Sequence, residues 1–312
     1  MSEISTSPLK PAGLKPGDLI TLVSPSSPIP REKLDFLYSL LEGEGYRVEA
    51  APNAFATGDY LAGSDEGKID DLHYAFSNPE TKAVFCTRGG YGAARIVSRL
   101  NLDLMAASGK MFWGFSDITT LHSALNNRGM VTVHAPMGIT LRVPRESYVY
   151  DSVRAALKGG NPIPADAPGG TCVVPGVGEG IVGGGCLVLL CDSLGTPEEA
   201  RFDGKIVVIE DVDEAPHRVD AMLTHLLNHG SIRRAAGLLI GEMSNSDDRV
   251  DAGIGGAPWR EIVKERLAPL GIPMVIDFPL GHARQMLSLP FGIRAQLNAT
   301  EGRLMYKETH VR

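Results

Sequence analysis

Cysteine is scarce: four residues in 312, with no C-x-x-C pair among them, leave nothing from which to build a zinc ribbon or a disulfide framework. Cys86, Cys172, Cys186 and Cys191 are expected to be buried free thiols. Long apolar runs are missing too. No stretch of about 18 apolar residues occurs, and the opening "MSEISTSPLKPAGLKPGD" lacks the apolar centre of a signal peptide. These absences predict a protein that makes no use of the membrane and stays in the cytoplasm. Positive charge is not in excess, since 30 Lys and Arg face 37 Asp and Glu for a formal charge of −7, so nucleic acid is not an expected partner. A zinc-peptidase signature is also lacking. His225 and His229 in "HLLNH" share one helical face, but Leu226 stands where H-E-x-x-H needs its glutamate, so a solvated or capping face and no metal are expected.

What is present is a chain with 43% hydrophobic residues, enough for two domains with substantial cores. In the first half, short apolar runs ("LITLVSPSS", "YRVEAAP", "AVFCTRGG", "MFWGFSD", "VTVHAPM") alternate with segments of helical periodicity ("REKLDFLYSLLEGEG", "DEGKIDDLHYAFSNP", "GAARIVSRL", "DITTLHSALNNRG"). Strand and helix in turn predict an α/β domain over 1–158 with a parallel sheet, its site beyond the carboxyl ends of the strands. That rule places Ser24, Arg88 to Gly90 and Ser116 on one rim. Residues 159–180, rich in glycine and proline, are expected as a linker. The rest, 181–312, reads as a mixed α/β domain ending in β structure. Gly178, Gly180 and Gly183 in "GEGIVG" fit G-x-G-x-x-G, but a proline breaks the segment before them, so a structural turn is expected rather than a nucleotide cradle.

Ser116 in "GFSDITTLH" sits where an apolar strand gives way to a helix. Its hydroxyl could cap that helix. The same position also suits a nucleophile, because a tight turn lifts the hydroxyl above the sheet while the backbone N–H of Asp117 points to where an oxyanion would form. The hydrolase elbow G-x-S-x-G is half present, with Ile118 in place of its last glycine. A nucleophilic serine needs a base, and the base needs an acid to orient it. His282, after a Pro-Leu-Gly turn, and Glu210, at the end of "KIVVIE", are the candidates, and the turn "TRGGYG" at 87–92 can present a second backbone donor.

Several blocks, in order, resemble one family. "LKPGDLITLVSPSSP", "TRGGYGAARI", "GFSDITTLH", "GTPEEARFDGKIVVIEDVDEAPHRVDAML" and "PLGHARQMLSLPFGIRAQLNA" are similar to the LD-carboxypeptidases, serine peptidases whose group also contains the microcin C immunity peptidases. The resemblance runs along almost the whole chain. It implies a flavodoxin-like N-terminal domain carrying the serine, a β-rich C-terminal domain carrying the glutamate and histidine, no cofactor, and a homodimer. Residue by residue it implies Ser116 as nucleophile, His282 as base and Glu210 as its orienting acid, with the N–H groups of Gly90 and Asp117 as oxyanion donors. Arg88, Gly89 and Tyr91 then belong to the substrate-binding turn, with Arg88 either gripping a substrate carboxylate or serving a structural ion pair. The chain departs from the family pattern at Ala135 in "HAP", Cys186 in "GGC" and Ala221, which bears on substrate preference. The implied substrate is a murein tetrapeptide, cut between an L-centre diamino acid and terminal D-alanine. A peptidyl or aminoacyl nucleotide is the alternative. That alternative needs an aromatic platform for a base, and of the two tryptophans Trp113 lies in an apolar strand and Trp259 opens a helix. A third reading, outside enzymes, is a nucleotide- or sugar-binding module built on the glycine turns at 89–92 and 176–185.

Overall fold

In a computed structural model the described residues are 7–250, 253 and 255–312. The N-terminal half runs β1 (Leu19–Val23), α1 (Asp35–Gly43), β2 (Arg47–Ala50), α2 (Asp65–Ser77), β3 (Thr81–Cys86), α3 (Ala93–Ile96), α4 (Leu102–Ala107), β4 (Met111–Gly114), α5 (Thr119–Asn126), β5 (Thr132–His134), α6 (Gly138–Leu141) and α7 (Ser147–Lys158). The remainder runs β6 (Thr171–Val174), β7 (Val177–Cys186), α8 (Leu187–Asp192), β8 (Lys205–Val212), α9 (Pro216–His229), β9 (Gly237–Ser244), α10 (Trp259–Leu267), β10 (Met274–Ile276), β11 (Leu289–Phe291), β12 (Arg294–Asn298) and β13 (Arg303–Tyr306).

The first sheet has the order β11-β5-β4-β3-β1-β2. Strands β2, β1, β3, β4 and β5 are parallel, in the flavodoxin-like order. Both faces are covered, so β1 and β4 are buried along their whole length, and alternate side chains feed separate cores. Val84, Cys86 and Phe112 pack toward α2, α4 and α5 with Leu72, Met105 and Leu121, whereas Phe85, Met111 and Trp113 pack with Leu37 and Val153. The second sheet, β13-β12-β7-β8-β9-β10-β6, is parallel from β7 through β10 and antiparallel at both margins. Among the described residues no helix is long and apolar enough to cross a membrane.

Several expectations change. Residues 159–180 are not a structureless linker, because β6 pairs antiparallel with β10 and β7 already begins at Val177. The glycines of "GEGIVG" form no turn but lie in β7, where they let strands approach: a Cβ on Gly178 would sit 2.0 Å from the Ala236 carbonyl oxygen, and one on Gly180 2.3 Å from that of Gly204. The chain also returns to its first sheet late. β11 pairs antiparallel with β5 and forms its edge, which tolerates Pro290. Helices α4, α6 and α7 stand where no element was expected. All four cysteines are free thiols, but Cys172 is exposed rather than buried.

Candidate active site

Strands β1, β3 and β4 all deliver their carboxyl ends to one rim, so the loop after β1, the turn at 87–92 and Ser116 converge there. Ser24 on this rim is structural, its hydroxyl 2.6 Å from the Ala54 carbonyl and 2.7 Å from Thr87 Oγ1. Ser116 leaves the extended Phe115 with φ of +65°, a left-handed conformation unusual for a residue with a Cβ. Neither the single 3-10 turn Ser116–Ile118 nor α5 has a side-chain cap, so the capping reading of Ser116 does not hold. Close approach at the elbow depends on Gly89, where a Cβ would stand 2.8 Å from Ser116 Cβ and 2.9 Å from its Oγ.

The second half brings the histidine and glutamate. Ser116 Oγ lies 3.1 Å from His282 Nε2, and His282 Nδ1 lies 2.7 Å from Glu210 Oε2. The His282 backbone N–H also donates to that oxygen at 3.2 Å. A proton on Nδ1 satisfies Glu210 and leaves the Nε2 lone pair to accept from the serine hydroxyl. Glu210 falls where the β8–β9 register shifts, between Ile209 and Asp211, an irregularity of the kind that re-aims a side chain. Gly281 makes the turn possible: its φ is +85°, and a Cβ there would sit 2.6 Å from Glu210 Oε2.

Charge and burial tune the pair. Burial pushes His282 toward the neutral form, but the Glu210 charge and hydrogen bond, with Asp211 and Asp213, outweigh it and raise its pKa. Burial likewise opposes ionisation of Glu210, yet His282 and His134 hold its pKa below the usual value. Asp211, beside it, is pushed up to about 7 by burial and by the Glu210 charge.

The backbone amides of Gly90 and Asp117 donate to no protein group among the described residues. The turn that carries Gly90 is fixed from the β1 loop, the Ser27 N–H donating to the Gly89 carbonyl at 3.4 Å and the Tyr91 N–H to Ser27 Oγ at 3.2 Å. Arg88 has no carboxylate partner among the described residues. Its Nε and Nη1 each donate at 3.2 Å, to the Gly89 and Pro28 carbonyls. Tyr91 is 47% exposed, and its ring lies 5.9 Å from that of Tyr60, itself 61% exposed. Both tryptophans are buried, and Arg260 covers Trp259 at 4.3 Å. His229 contacts Ser231 Oγ at 2.9 Å and Glu199 Oε1 at 3.1 Å. Of the departures, Ala135 and Cys186 are buried and Ala221 faces solvent; the Cys186 N–H donates to Thr119 Oγ1 at 3.0 Å.

Sequence reasoning missed the groups that brace this rim. Arg145 donates from Nη1 to the carbonyls of Ala283 and Arg284 at 2.9 and 3.0 Å and from Nη2 to that of Thr140 at 2.8 Å, tying the His282 loop to the first half. Bonds to carbonyls so distant in sequence leave no motif. Ser26 and Ser27 do leave a weak signal, as small polar residues directly after a strand on the site rim.

Comparisons with known proteins agree with the fold. Residues 20–135 match the LD-carboxypeptidase N-terminal domain and residues 179–297 the LD-carboxypeptidase C-terminal domain. The chain is 38% identical to a putative carboxypeptidase of Streptomyces coelicolor over 95% of each chain. A muramoyltetrapeptide carboxypeptidase structure from Oxalobacter formigenes is 27% identical with a TM-score of 0.79, covering 92% of this chain and 97% of its own. The Microcin C7 self immunity protein MccF shares the fold with a TM-score of 0.84 at 20% identity, over 98% and 100% of the chains. The class these define is that of the serine peptidases. Within it, the chain belongs to the LD-carboxypeptidase family.

Proposed function

We propose that the protein is a carboxypeptidase that removes the terminal D-alanine of a murein tetrapeptide, with Ser116, His282 and Glu210 as its triad. The observation that carries this reading is the unbroken run of contacts from Ser116 Oγ to His282 Nε2 at 3.1 Å and from His282 Nδ1 to Glu210 at 2.7 Å. Ser116 Oγ attacks the amide carbonyl carbon as its proton passes to His282 Nε2. Glu210 holds the Nδ1 proton and stabilises the imidazolium. The oxyanion receives the N–H groups of Gly90 and Asp117, each contributing roughly 3 kcal/mol to the transition state. Collapse breaks the C–N bond, and the His282 proton goes to the leaving amine of D-alanine. Water then attacks the acyl-enzyme, gives a proton to His282, and Ser116 Oγ takes it back as the acid product leaves. Arg88, held beside this turn by backbone carbonyls, offers its remaining Nη2 to the substrate's terminal carboxylate, with Gly89 and Tyr91 framing the same subsite.

The murein assignment is supported by the name of the Oxalobacter formigenes structure. With it we place the enzyme in the cytoplasm, in peptidoglycan recycling, as a homodimer, and working without a cofactor.

One observation favours a second substrate. The exposed Tyr60–Tyr91 pair beside the oxyanion turn is a platform on which a nucleobase could stack, whereas neither tryptophan is available. Side-by-side kinetics on a murein tetrapeptide and an aminoacyl sulfamoyl-adenosine decide between them. We expect D-alanine release with the higher kcat/KM, and a value at least tenfold higher for the adenosine compound would overturn the murein assignment.

A further inference from the structure

The side chain of Asp117 takes no part in the mechanism above, yet it is a carboxylate only 1% exposed. Its Oδ2 accepts two hydrogen bonds, from Ser26 Oγ at 2.6 Å and from the Ala93 N–H at 2.9 Å. These donors belong to the two segments that must be aligned with the nucleophile. Ser26 lies in the loop after β1, whose next residue, Ser27, holds Gly89 and Tyr91 on either side of Gly90. Ala93 is the first residue beyond the 87–92 turn. Packing there is close: a Cβ on Gly90 would stand 2.3 Å from Ser27 Oγ, and one on Gly92 would stand 3.1 Å from the Pro25 carbonyl oxygen. The backbone N–H of Asp117 is one proposed oxyanion donor, and its own side chain holds the far end of the turn bearing the other, at Ala93, together with the β1 loop that braces that turn, at Ser26.

We infer that the Asp117 carboxylate is a positioning group that sets the spacing of the two oxyanion donors, tying the Gly90 turn to the Ser116 elbow through Ser26 and Ala93. The inference rests on the peptidase reading. Geometry predicts what the group must supply: an acceptor at the Oδ2 position, facing two donors at once. Burial pushes the Asp117 carboxyl pKa up, with the Ser26 and Ala93 bonds and the Lys68 charge opposing it, and Oδ1 is buried without a hydrogen-bond partner among the described residues. A neutral side chain with one carbonyl oxygen in the same place should therefore serve.

The test is the kinetics of D-alanine release from a murein tetrapeptide by wild type, Asp117→Ala, Asp117→Asn and Ser26→Ala, with thermal melting of each. Asp117→Ala should lose on the order of 10²-fold in kcat, the scale of a displaced oxyanion donor, while KM stays within about threefold. Asp117→Asn should recover to within about tenfold of wild type, and Ser26→Ala, which removes one of the two bonds, should lose roughly three- to tenfold in kcat. A folded Asp117→Ala with wild-type kcat, a loss confined to KM, or an Asp117→Asn as impaired as Asp117→Ala would overturn the inference. If Asp117→Ala does not fold, wild-type kcat in Ser26→Ala overturns it instead. Wild-type protein that turns over neither the tetrapeptide nor an aminoacyl sulfamoyl-adenosine overturns the peptidase reading itself.

Discussion

At φ +65° Ser116 adopts a conformation that costs a residue with a Cβ on the order of 1–3 kcal/mol, and the surrounding contacts hold it there. Gly89 leaves room on one side and His282 accepts its hydroxyl on the other. The electrostatics of that histidine set a testable pH dependence. Its pKa is raised above 6.5, so the imidazolium persists to higher pH than in a free histidine. With the neutral ring as the proposed base, kcat/KM should rise with pH through an inflection above 6.5, and Glu210→Gln should move that inflection down as well as slow the reaction. A wild-type inflection below 6.5, or one unmoved by Glu210→Gln, contradicts the assignment. Stability runs the other way. A raised folded-state pKa means that the His282–Glu210 interaction stabilises fully below the unfolded value and is lost as pH rises through the folded one. At this scale the sequence was informative where chemistry demands a residue type. Ser116, His282 and Glu210 stood out as candidates because a nucleophile, a base and an acid each need a particular side chain at the end of a particular element, and the family resemblance then implied their roles. The Asp117 carboxylate and Arg145 could not, since their partners are backbone groups and a hydroxyl brought close only by folding.

At the scale of elements, α5 and β5 carry two buried histidines, His122 and His134. His122 is fully buried, 2.9 Å from both Thr132 Oγ1 and the Gly114 carbonyl, and burial pushes its pKa down to about 3. His134 is pushed down to about 4 in the same way. A depressed histidine binds its proton in the unfolded chain first, so each lowers stability as pH falls from 6.5 toward its folded value, by about 1.4 kcal/mol per pH unit. Replacing His122→Gln should flatten the pH dependence of the unfolding free energy by about that slope between pH 4.5 and 6.5, as measured in urea. An unchanged slope would mean that His122 is protonated in the folded protein. Element-level legibility followed periodicity. The five parallel strands of the first sheet were readable as apolar runs between helical segments. β6, β7 and β11 were not, because glycine and proline normally punctuate chains. Here the glycines of β7 answer to backbones that cross from residues 204 and 236, and Pro290 lies on a sheet edge.

For the whole molecule, the serine comes from one half and its partners from the other. The α/β class and a parallel first sheet were legible as an alternation, and the flavodoxin-like fold as an implication of the family resemblance. The junction was not, because it depends on β11 returning from residues 289–291 to pair with β5 and on Arg145 reaching the His282 loop. The site is thus a property of how the halves meet, and its central claim is that this meeting activates Ser116. Fluorophosphonate labelling followed by intact mass and peptide mapping tests that claim most directly. An activated Ser116 gives a single adduct on the peptide that contains it in wild type and none in Ser116→Ala; a folded wild type that takes no label, or a Ser116→Ala variant labelled as fast as wild type, would contradict that activation.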